Sequence, residues 1–223
     1  MVDPSTAIAT HLNKVLRDSG SELLSHDETQ KLLDKLAARS PKLVEELVPG
    51  KLSLGVVTKT LQNLLSEGVP IRDMRTIAES LMEASARTQD PEMLTSLVRP
   101  KLGRMIVQSL LENRSSLPVM TLDPNLEQLL HNLIQQNGGS ANVVLEPSLA
   151  ESLFTALRES VRSVEEQGYP AVLVVSPQIR LWLARAVRHR ANDLTVLSYS
   201  EIPDEQEVKV IQTIQVENRG DKQ

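Results

Sequence analysis

The chain has 223 residues, 40% of them hydrophobic yet only four aromatic (Phe154, Tyr169, Trp182 and Tyr199), and a net charge of −5 from 24 basic and 29 acidic side chains. So few rings offer little to stack on bases or sugars, and without a basic excess or a dense basic block there is no electrostatic footprint for a nucleic-acid backbone. Cysteine is absent, which removes disulfides, thiolate metal sites and a cysteine nucleophile, and no apolar run approaches the ~20 residues of a bilayer span.

Thirty-five leucines supply most of the apolar mass, a composition suited to helix packing. Residues 1 to about 113 read as helical throughout. Asp3-Pro4 is a start signal, with Ile8, Leu12, Val15 and Leu16 following on one face. Ser25 and Glu28 are expected to form a capping box ahead of Leu32, Leu33 and Leu36. Ser40-Pro41 opens a short helix carrying Leu43, Val44 and Leu47, which Pro49-Gly50 should end. Val57, Leu61, Leu64 and Leu65 mark the next helix, closed by Gly68, and Met74, Ile77, Leu81 and Met82 mark another. Asp90-Pro91 opens a long pattern through Leu94, Leu97 and Val98. Pro100 falls inside it, removes a backbone hydrogen bond and predicts a kink or a break.

From about residue 115 the rhythm changes. Val119–Leu122 is a strand candidate, followed by Asp123-Pro124 and a helix carrying Leu126, Leu129, Leu130 and Leu133. Residues 137–142 read as a loop, and Leu149, Leu153, Leu157, Val161 and Val164 as a helix ending at Gly168. Ala171 to Val175 is a continuous apolar run, as in a strand buried on both faces. Ser176-Pro177 caps a helix to about Arg190, and Leu194 to Leu197 gives the next strand, so this stretch predicts a parallel pair with a helical crossover. Val208, Val210 and Ile214 against Lys209 and Thr213 suggest a half-exposed final strand, with a polar tail from Glu217. The expected fold class is α+β: a helical subdomain followed by a small α/β subdomain with a partly parallel sheet.

Little in this pattern speaks for catalysis. The strand ending at Val175 runs into Ser176-Pro177-Gln178 with no glycine, unlike a phosphate loop or a dinucleotide fingerprint. His11, His26, His131 and His189 never pair at i+3 or i+4, so no metal site is written in their spacing and no cofactor is expected. Ser176 lacks the G-x-S-x-G elbow of a nucleophile and reads as an N-cap. Arg180, Arg185, Arg188, His189 and Arg190 form the densest basic cluster, and the last of them sit where cations complement a helix C-terminus. Trp182 reads as a core anchor, with an interface hot spot as the sharper alternative.

Whole segments resemble a known family. Val2-Asp3-Pro4-Ser5-Thr6-Ala7-Ile8-Ala9-Thr10-His11-Leu12 is similar to a motif of the type III secretion export-gate family, in its flagellar branch. So are Leu61-Gln62-Asn63-Leu64-Leu65 and the stretch Val69-Pro70-Ile71-Arg72-Asp73-Met74-Arg75-Thr76-Ile77. Leu97-Val98-Arg99 with Leu102-Gly103-Arg104, and Val196-Leu197-Ser198-Tyr199 with Glu201-Ile202-Pro203, extend the likeness over nearly the whole chain.

The resemblance implies a protein with a membrane-embedded N-terminal half and a cytoplasmic half of four subdomains, assembled as a nine-subunit ring on the cytoplasmic face of the bacterial inner membrane. Residues 1–23 would then be a helix of the first cytoplasmic subdomain, 24–103 the helical third, 104–216 the α/β fourth and 217–223 a tail, with the second subdomain and most of the first preceding Met1. It implies a non-catalytic platform whose partners are flagellar export chaperones with their substrates and other export-apparatus proteins, and no nucleic acid. Thr10 matches a position lining the family's chaperone groove and Ala7 one beside it, where the family pattern carries a larger apolar residue. Arg72 and Arg75 are candidates for contacts between ring neighbours, or else, with Asp73 and Glu79, a solvated surface network. The competing classes are a helical, winged-helix-like nucleic-acid-binding or regulatory protein and a hydrolase with a cryptic site in the α/β part.

Overall fold

The computed structural model describes residues 19–111, 114–137, 143–188 and 194–216. They fall into two compact units, one ending at Leu102 and the other starting at Gly103. The expected helix after Asp3-Pro4, the loop after Asn137 and the tail from Glu217 lie wholly or largely outside the described residues.

Among the described residues, the first unit carries helices and turns without a strand. After a helical segment at residues 19–23 come α1 (His26–Ala37), α2 (Pro41–Glu45), α3 (Leu54–Ser66), α4 (Met74–Ser85) and α5 (Pro91–Val98). Short polar side chains start most of them by taking a backbone N–H that has no partner inside the helix. Ser25 Oγ accepts from Glu28 N–H at 3.2 Å, Ser53 Oγ from Val56 N–H at 3.3 Å, and Asp90 Oδ1 from both Glu92 and Met93. Glu28 turns its carboxylate to Lys31 Nζ instead, at 2.8 Å. Gly68 ends α3 at φ +72, where a side chain would be strained, and lets Val69 N–H donate back to Leu64 O at 2.9 Å.

The sequence predicts two breaks in this unit, and both are present. The Ser40-Pro41 helix is regular to Glu45 and runs on into the irregular turn Glu46–Lys51, where Val48 turns extended (φ −128, ψ 119) directly ahead of Pro49, so the break falls where Pro49-Gly50 predicts it. The second break is as predicted: α5 ends at Val98, a 3-10 turn covers Arg99–Leu102 around Pro100, and α6 (Gly103–Leu111) begins after it. The core of the unit is aliphatic, with Leu33, Leu47, Val57, Leu61, Leu64, Ile77, Leu81, Leu94 and Val98 all excluded from solvent. Asn63 Nδ2 reaches Thr95 Oγ1 at 3.4 Å, joining α3 to α5.

In the second unit, α6 precedes β1 (Leu117–Leu122), α7 (Pro124–Gln136), α8 (Pro147–Glu166), β2 (Val172–Val175), α9 (Pro177–Val187), β3 (Thr195–Ser198) and β4 (Val208–Ile214). The strand order is β3-β2-β1-β4, and all three pairings are parallel, so the sheet is more uniform than the partly parallel one expected. Register runs from Leu173 opposite Val196 to Met120 opposite Leu173. On the outer side Val119 pairs with Val210 but Met120 with Gln212, leaving Ile211 as an extra residue in β4. That bulge upsets the expected alternation: Val208, Lys209 and Val210 are all exposed, and only Ile214 is buried. One sheet face carries Met120, Leu122, Leu173, Val175 and Val196 into a core shared with Leu130 of α7, Leu153 and Leu157 of α8, and Ile179 and Leu183 of α9.

Candidate docking surfaces

Ala7 and Thr10 lie outside the described residues. Arg72 and Arg75 stand on the surface of the first unit, on either side of Asp73, whose carboxylate caps α4 by accepting Thr76 N–H at 3.2 Å. Arg75 Nε donates to Glu79 Oε1 at 2.9 Å, one helical turn on, with both side chains largely in water. That hydrogen bond, reinforced by the Glu79 charge, holds the Arg75 guanidinium above its ordinary pKa. The pair is local to one helix face, and Arg72 beside it is exposed.

Among the described residues of the basic cluster, Arg180 turns into the unit and not to its surface. Arg180 is 2% exposed and points inward to Glu201, itself 2% exposed, with Nε 3.8 Å from Oε1. The same carboxylate oxygen accepts from Ser198 Oγ at 3.1 Å and Ser198 N–H at 3.4 Å, which closes the 3-10 turn Tyr199–Glu201. Arg185 is half-buried and Arg188 exposed, while His189 and Arg190 lie outside the described residues. Trp182 takes the core reading: it is 5% exposed, and its Nε1–H donates to Val143 O at 2.9 Å.

At the carboxyl ends of the parallel strands, the usual place for a ligand in an open α/β sheet, a small polar group gathers. Glu127 Oε1 accepts Ser176 N–H at 2.8 Å, and its Oε2 lies 3.5 Å from the Tyr199 hydroxyl. Burial pushes the Tyr199 phenol above its ordinary pKa, and the Glu127 charge and hydrogen bond add to the rise. Ser176 does not cap α9 with its side chain as the sequence suggested: its Oγ is buried with no hydrogen-bond partner, while its amide donates to Glu127.

Two further relationships were invisible in the sequence. Arg99, 1% exposed, donates to Glu67 Oε2 at 2.8 Å across 32 residues, and this pins the 3-10 turn after α5 onto the end of α3. Gly103 sits against the backbone of Glu201. Neither residue type at those spacings carries a local signal, so only the folded chain could reveal them. Among the described residues, no three histidine or carboxylate side chains come together as metal ligands, and no helix is long and apolar enough to cross a membrane.

The family profile described as the FHIPEP family matches residues 1–207. The flagellar biosynthesis protein FlhA of Escherichia coli (strain K12) is 42% identical over 214 residues, which cover 96% of this chain and 30% of that protein. The chain therefore spans about 30% of the length of such relatives. The solved structure of the Chlamydia pneumoniae CdsV protein matches with a TM-score of 0.85 at 26% identity, over 94% of this chain and 60% of that one. CdsV has also been solved in a complex with CdsO. The nonameric EPEC SctV-C matches with a TM-score of 0.80 at 26% identity, over 94% of this chain and 63% of that one.

Proposed function

The chain belongs to the FHIPEP family, and from that premise we propose that it is part of the cytoplasmic platform of a flagellar type III protein export gate. In this reading it performs no covalent chemistry. It presents aliphatic-cored surfaces to export chaperones carrying their substrates and to other export-apparatus proteins, and it assembles with further copies into a nine-subunit ring at the cytoplasmic face of the inner membrane. The observation that carries the reading is 42% identity to a flagellar FlhA over nearly the entire chain, joined to a fold shared with the nonameric EscV cytosolic domain from the type III secretion system. The complex of CdsV with CdsO supports the idea that this fold receives a second protein.

Recruitment would run by mass action. A groove containing Thr10, with Ala7 beside it, binds the chaperone, and movement between subdomains changes how far the groove is open. Arg72 and Arg75 contribute to contacts between ring neighbours, where a guanidinium can exchange its weak intrahelical partner for a neighbour's carboxylate or carbonyl. Residues 24–103 act as the helical third subdomain and 104–216 as the α/β fourth.

The test is calorimetric titration of a late-substrate flagellar chaperone into the longer cytoplasmic domain, with and without Thr10→Asp. Saturable binding that the substitution weakens at least tenfold supports the groove. Unchanged affinity overturns the assignment of Thr10.

A further inference from the structure

We draw no further inference here: the strongest candidate, the exposed row of Val208 and Val210 on the edge strand β4, is an unpartnered apolar sheet face, and nothing in the structure shows what covers it.

Discussion

A Cβ added to Gly103 would run into the carbonyl oxygen of Glu201 and stand 2.9 Å from the carbonyl carbon behind it. The first residue of α6 therefore lies directly on the backbone of the 3-10 turn that holds the buried Glu201–Arg180 pair. Backbone cannot swing aside as a flexible side chain can, so alanine at 103 has to push one element away from the other.

Gly103→Ala is expected to destabilise the second unit by about 1–3 kcal/mol, the usual cost of overpacking. The sign is informative, because alanine in an exposed helix gains about 1 kcal/mol over glycine. Trp182, the single tryptophan, lies in this unit's core and reports its urea unfolding by fluorescence. A midpoint that rises would show that the close approach does not constrain the fold.

Ser176→Ala should cost nothing or stabilise slightly. Truncating a serine that caps its helix typically costs about 1 kcal/mol, but the Ser176 hydroxyl is buried with no hydrogen-bond partner and its amide is held by Glu127. The same fluorescence melt decides, and a loss approaching the ordinary capping cost would mean the hydroxyl is satisfied after all.

Glu67→Gln takes the carboxylate away from a guanidinium that water barely reaches. Breaking one side of a buried pair costs about 3 kcal/mol or more, whereas replacing both sides by apolar groups is often neutral. Far-UV circular dichroism, to which the helices of both units contribute, should show a melting transition at lower temperature for the single variant. Partial recovery is expected in Glu67→Leu with Arg99→Met. Equal melting of Glu67→Gln and the parent would remove this pair as the anchor of the turn after α5.

The joint replacement Arg72→Ala with Arg75→Ala should leave the melting temperature unchanged, since the Arg75–Glu79 pair is solvated and within one helix. In the longer cytoplasmic domain, native mass spectrometry should instead show loss of the proposed nine-subunit species. Undiminished assembly would return both arginines to the solvated-surface reading.

Absorbance titration at alkaline pH should find the Tyr199 phenol ionising above its ordinary value of 10.0, first because it is partly buried and then because Glu127 faces it. Its folded pKa exceeds its unfolded one, so its contribution to stability is fully present below the unfolded value and is lost as pH rises through the folded one. Glu127→Gln should lower the folded pKa without abolishing the shift, since burial is the larger cause. A phenol in that variant that titrates just as in the parent would rule out the Glu127 contribution.

Much of the secondary structure was legible because its causes are local. Capping spacing placed the start of α1 at Ser25, Asp-Pro pairs placed α5 and α7, and Pro100 announced the break that follows α5. The uninterrupted run from Ala171 correctly identified a buried parallel strand. The family likeness was also a property of sequence alone, carried by motifs spread along nearly the whole chain.

The remaining relationships are set by distance through space. The parallel run of β4 beside β1, the bulge at Ile211, the Arg99–Glu67 pair, the Glu127–Ser176–Tyr199 group and the Gly103–Glu201 approach join residues 32 to 98 positions apart or depend on pairing register. Even Ser176, whose context spells an N-cap, leaves its hydroxyl with nothing to bond, while a glutamate 49 residues away accepts its amide. Short-range sterics and hydrogen bonding fix where a chain coils or extends, and sequence records them. Which distant groups meet is decided by how helices and strands fill a common core, and that exists only in the folded chain.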